Sequence, residues 1–113
     1  MIYLSESALK YAVNICEELS NYKVGIVLAS KKIGYTAMQV IRDAITDTEA
    51  TVYYIDNNKH RIDFSNGSTI QFISASGKTR GYVPHLLIIE HNIDRDSLNR
   101  IFWPHEKKDY YLK

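Results

Sequence analysis

His85-Leu86-Leu87-Ile88-Ile89-Glu90 decides the fold: four aliphatic side chains follow one another without a polar interruption and end on a carboxylate. A strand with one wet face alternates apolar and polar residues, whereas a strand covered on both faces does not. Val24-Gly25-Ile26-Val27-Leu28-Ala29 has the same character. Two such runs predict neighbouring central strands of a largely parallel sheet with helices packed on it.

The segments around these runs fit that plan. Leu9, Ala12, Val13, Ile15, Cys16 and Leu19 recur at helical spacing between Ser5 and Leu19, and Ser5 or Ser7 is placed to cap the first turn. A second helix is predicted from about Tyr35 to Thr46, with Met38, Ile41 and Ile45 inward and Gln39, Arg42 and Asp43 outward. Three short β-rich runs follow, at 51–55, 61–64 and 68–73. Asp56-Asn57-Asn58-Lys59 and Asn66-Gly67 separate them and are turn formers, so a meander of two hairpins is expected. Beyond Glu90, a short helix is predicted over 95–101 and a final strand or frayed tail over 106–113.

The whole is read as one layered α/β domain spanning 1–113. It has a mixed, mostly parallel sheet, helices packed on it and a β-hairpin insertion. Composition agrees: 113 residues, 45% hydrophobic and 24% charged, suit one soluble globular body. A formal net charge of +1 gives no bulk attraction to nucleic acid or to an anionic membrane, so any such binding requires a local patch. The single cysteine, Cys16, excludes an internal disulfide, and no apolar run approaches the roughly 20 residues of a membrane span. The first residues lack the basic head and apolar run of a signal peptide, so a cytoplasmic location is expected.

In open parallel sheets, ligands bind beyond the carboxyl ends of the strands. Three segments meet there if the strands ending at Ala29, Ile73 and Glu90 are parallel: Ser30-Lys31-Lys32, the stretch from Ser74 to Arg80, and Glu90-His91-Asn92. Lys31, Lys32, Lys78 and Arg80 are therefore the candidate anion or nucleic-acid contacts. Ser76-Gly77-Lys78-Thr79 imitates the end of a phosphate loop. The first glycine of that loop would fall at Phe72, however, and Gly81 and Pro84 interrupt the helix that should follow.

Three elements in order, Asn66-Gly67-Ser68 leading into 69–75, Thr79-Arg80-Gly81-Tyr82, and His85 to Glu90, resemble the ATPase domain of phage large terminases and related helicase-like motor proteins. The resemblance extends to Val24–Ser30 with its following helix, and to the helix after Ser5. It implies a partial RecA-like, P-loop NTPase-like fold and an ancestry in DNA packaging. Two departures bear on activity. Leu4-Ser5-Glu6-Ser7 stands where the family has its glycine-rich loop, with Glu6 in place of the phosphate-binding lysine. Glu90 and His91 stand where the family has Asp and Glu, a degenerate version of its magnesium and water-orienting pair.

Other chemistries find less support. His60, His85, His91 and His105 make no helical pair and have no cysteine partner, so they are read as surface or capping groups and no metal is expected. Cys16 lies on an apolar helix face and no nucleophile-elbow motif exists. Nine tyrosines and one tryptophan favour a docking surface, for which Tyr82, Phe102 and Trp103 are the candidates. The expected protein is thus a pseudo-ATPase without cofactor that works by binding another protein. Its alternatives are a nucleic-acid-binding accessory and an ATPase subunit completed in trans by a partner.

Overall fold

The computed structural model describes residues 2–29, 31–53, 60–74, 84–91 and 93, with the backbone alone at 31 and 74. Six strands and two helices follow in the order β1 (Ile2–Tyr3), α1 (Glu6–Glu18), β2 (Lys23–Leu28), α2 (Lys31–Ala44), β3 (Thr51–Tyr53), β4 (Arg61–Asp63), β5 (Thr69–Ser74) and β6 (Leu86–Ile89). The strands form one sheet in the order β1-β6-β2-β5-β4-β3. Pairings β1 to β6, β6 to β2 and β2 to β5 are parallel. β5, β4 and β3 form an antiparallel meander at the other edge.

The two aliphatic runs lie side by side in the same direction, with Val24 opposite Leu86 and Val27 opposite Ile89. Their lack of alternation has the expected cause. Val24, Ile26, Leu28, Leu86 and Ile88 join Ile70 and Phe72 of β5 in the core cluster with α1 and α2. Val27, Leu87, Ile89 and Ile73, which point the other way from those strands, are at most 2% exposed as well.

Both helices pack on one face because β1-α1-β2 and β2-α2-β3 advance across the sheet in the same direction, and right-handed crossovers then fall on the same side. Leu9, Ala12, Val13 and Cys16 from α1 meet Ala37, Met38 and Ile41 from α2 in that cluster. Leu9, Ala12, Val13 and Cys16 of α1 and Met38 and Ile41 of α2 belong to the expected stripes, whereas Ala8, outside the stripe, is buried and Leu19, within it, is 47% exposed where α1 ends.

Three features differ from the sequence reading. α2 begins at Lys31, a full turn earlier than expected, so Lys31 and Lys32 belong to a helix and not to a loop. Gly34 within its first turns costs only about 1 kcal/mol and is outweighed by the packing of the turns after it. β1 was not anticipated, because two residues carry no periodicity. His60, expected as a surface or capping group, is only 4% exposed, beside Phe72 at a ring-centroid separation of 5.6 Å. The residues before it interrupted any pattern that would have placed it inward. The helix expected at 95–101 and the tail at 106–113 lie outside the described residues.

Candidate functional site at the carboxyl edge of the parallel strands

Parallel pairing of β1, β6, β2 and β5 brings their carboxyl ends to one edge, from which α1 and α2 also start. This is the position at which ligands meet α/β sheets. Among the described residues, three connections build this edge.

The first is the link between β1 and α1, made of Leu4 and Ser5 alone. The Leu4 N–H continues the ladder by donating to the Ile89 carbonyl at 2.7 Å. Ser5 has extended backbone angles, and its Oγ accepts the Ala8 N–H at 3.0 Å. One of the amide donors of the first turn is thereby taken by the chain itself. Glu6 adds a negative charge to the same turn and pairs with Lys10 at 3.5 Å. The amino end of α1 thus has both a cap and a compensating charge for its dipole.

The second connection follows β2. Its first helical turn contrasts with that of α1, for Lys31 and Lys32 stand there and no acidic residue does. Lys32 is exposed. The third follows β6, where Glu90 is 5% exposed and its Oε2 accepts the Ala29 N–H at 3.0 Å. The Glu90 N–H donates to the Val27 carbonyl at 3.0 Å. The side chain therefore prolongs the pairing of β6 with β2 past the end of both strands. Its Oε1 is buried and has no hydrogen-bond partner among the described residues. His91, next in the chain, is exposed and stacks on Tyr3 of the edge strand, with centroids 4.6 Å apart and planes at 23°.

Of the residues singled out from sequence, Lys31, Lys32, Glu90 and His91 come to this one edge. They do not form a single cluster: Glu90 turns inward while His91 turns outward to Tyr3. Lys78, Arg80, Tyr82, Phe102 and Trp103 lie outside the described residues. Among the described residues no three of His, Cys, Asp and Glu gather as a metal site, and no helix is long and apolar enough to cross a membrane.

Sequence reasoning missed the two contacts that organise the edge, Glu90 with Ala29 and His91 with Tyr3. Their only signal was the charge that ends the aliphatic run. It also missed the opposite edge, where the Lys23 N–H donates to His85 Nδ1 at 3.0 Å and the His85 N–H returns to the Lys23 carbonyl at 2.8 Å. Tyr22 stacks on that imidazole at 4.9 Å. His85 is thus a capping group, as expected, with β2 and β6 as the elements it joins. Comparison with known protein families, with curated proteins and with solved structures gives no match to this chain.

Proposed function

We propose that this chain is a non-catalytic, protein-binding module on a scaffold of the terminase or helicase type, one in which the triphosphate cradle is not formed. The observation that supports this reading best is the closure of α1. A triphosphate is held by several backbone amides converging at a helix start, with a cation beside them. Here the strand-to-helix link is two residues long, Ser5 occupies a first-turn amide, and Glu6 brings a negative charge. Such an end repels phosphate. Glu90, at the position of the family's first acid, spends one oxygen on the Ala29 amide and so works as a strap between strands.

The partner in this reading is a component of a DNA-processing or defence machine, met through aromatic residues that include Tyr82, Phe102 and Trp103. Binding that survives high salt and weakens in Trp103→Ala fits a protein partner held by buried aromatic area. Turnover of ATP by the purified chain overturns the reading. So does turnover that appears with the partner and disappears in Glu90→Gln, which is the signature of an ATPase completed in trans.

One observation favours a second reading, a nucleic-acid-binding accessory. The first turn of α2 carries Lys31 and Lys32 and no acid, so its dipole and charges both favour an anion. In that case, affinity for single-stranded DNA falls steeply with added salt and Lys31→Glu with Lys32→Glu removes it. Salt-insensitive capture of a protein by the doubly substituted chain leaves only the first reading.

A further inference from the structure

At the amino edge of the sheet, far along the chain from α1, the turn between β4 and β5 reads Asn66-Gly67-Ser68. Asn66 Nδ2 donates to the last carbonyls of α1, reaching Cys16 O at 2.8 Å, Leu19 O at 3.3 Å and Glu17 O at 3.4 Å. Its Oδ1 accepts the Ser68 N–H at 3.0 Å, and its carbonyl accepts the Asn21 N–H at 3.3 Å. Ser68 is fully buried, and its Oγ donates to Leu19 O and accepts the Tyr22 N–H. The orphan carbonyls that every helix leaves at its end are thus served here by a carboxamide some fifty residues away in sequence.

Gly67 is equally constrained. Its φ is +89°, and a Cβ placed there runs into the Asn21 side-chain oxygen. The fold therefore demands an amide at 66 and a glycine at 67. That dipeptide is also the one most prone to spontaneous deamidation, because no side chain shields the glycine nitrogen from the neighbouring carboxamide.

We propose that Asn66 is a guarded deamidation site: the folded turn holds Asn66-Gly67 back from reaction, and conversion of the residue unlatches α1 from the β4–β5 turn. In the reaction, the Gly67 backbone nitrogen loses its proton and attacks Asn66 Cγ. The new C–N bond closes a succinimide, the Cγ–Nδ2 bond breaks, and ammonia leaves with the proton. Water then opens the ring at either carbonyl to give aspartate or isoaspartate. Every group in that step is engaged in the folded protein. The leaving nitrogen is hydrogen-bonded to α1, the carbonyl oxygen to Ser68, and the Gly67 N–H to the Phe64 carbonyl at 3.1 Å. Reaction requires the turn to open first.

The product cannot restore the latch. A carboxylate has no hydrogen to donate and brings a negative charge to the negative end of the α1 dipole. Isoaspartate in addition lengthens the backbone by one carbon where Asn21 already packs against Gly67.

The test follows the full chain by peptide mass spectrometry at one neutral pH and temperature, folded in buffer and unfolded in urea. Deamidation of Asn66 is expected to be at least about tenfold slower in the folded chain. Equal rates in the two states overturn the guard. Urea unfolding of Asn66→Asp tests the latch separately: a lower midpoint than the parent, or failure to fold, supports it, and an unchanged midpoint overturns it. The rate comparison uses the parent chain alone and stands whether or not the variant folds.

Discussion

The Glu90 carboxylate accepts the Ala29 amide at 3.0 Å and so closes the carboxyl ends of β6 and β2 against each other. The bond ties two segments 61 residues apart in the chain. Its other oxygen is buried with no partner among the described residues, so the group gives a strap on one side and carries a desolvation cost on the other.

These two effects separate on substitution. Glu90→Gln keeps a carbonyl acceptor for Ala29 and removes the buried charge, so it should be at least as stable as the parent. Glu90→Ala loses the acceptor and leaves a cavity, and should cost about 1–2 kcal/mol. Urea midpoints of the three proteins decide it, and a Gln variant as damaged as the Ala variant rules out the strap.

The cap on α1 gives the second expectation. Ser5→Ala leaves the Ala8 amide without its side-chain acceptor and should lower stability by about 0.5–2 kcal/mol, whereas Ser5→Asp should be nearly neutral because its carboxylate accepts the same bond. Equal losses in both variants, measured by thermal unfolding, exclude capping as the role of Ser5.

Most of the sheet was legible because its evidence was long and one-dimensional. Val24–Leu28 and Leu86–Ile89 show their double-sided burial by composition alone, and the stripe containing Leu9, Val13 and Cys16 shows α1. The antiparallel meander was announced by Asn66-Gly67, a turn type with few sequence solutions. What stayed hidden depends on partners distant in sequence. No local pattern says that Glu90 reaches back to Ala29, that His91 meets Tyr3 across the sheet edge, or that Asn66 ends a helix begun at Glu6. β1 is invisible for a different reason: two residues become a strand only because β6 offers a free edge.

Cys16 should be chemically silent. Burial first, and the Glu17 charge second, push its thiol up from 9.0 to about 12. At mildly alkaline pH the folded thiol then holds about a thousandth of the thiolate of an unperturbed one, and thiolate is the form that reacts. Ellman's reagent should label the native chain far more slowly than the urea-unfolded chain. Labelling at the same rate in both would show that Cys16 is not where the fold places it.

Acid should weaken the connection between the α2–β3 loop and the β4–β5 turn. Asp47 Oδ2 accepts the Ser65 N–H and hydroxyl, both at 2.8 Å, and Oδ1 accepts the Glu49 N–H at 3.0 Å. The Ser65 amide, then the Glu49 amide, then the Ser65 hydroxyl hold the carboxyl below the ordinary aspartate range, against a smaller opposing effect of desolvation. Because the folded pKa lies below that of the unfolded chain, the stabilisation is fully present above the unfolded value and is lost as pH falls through the folded one. Asp47→Asn lacks the charge at every pH. Its deficit against the parent should be largest near neutrality and should shrink as the pH drops into the aspartate range, when urea midpoints are measured along a pH series. A deficit that stays constant across that series would assign the contribution of Asp47 to its neutral hydrogen bonds alone.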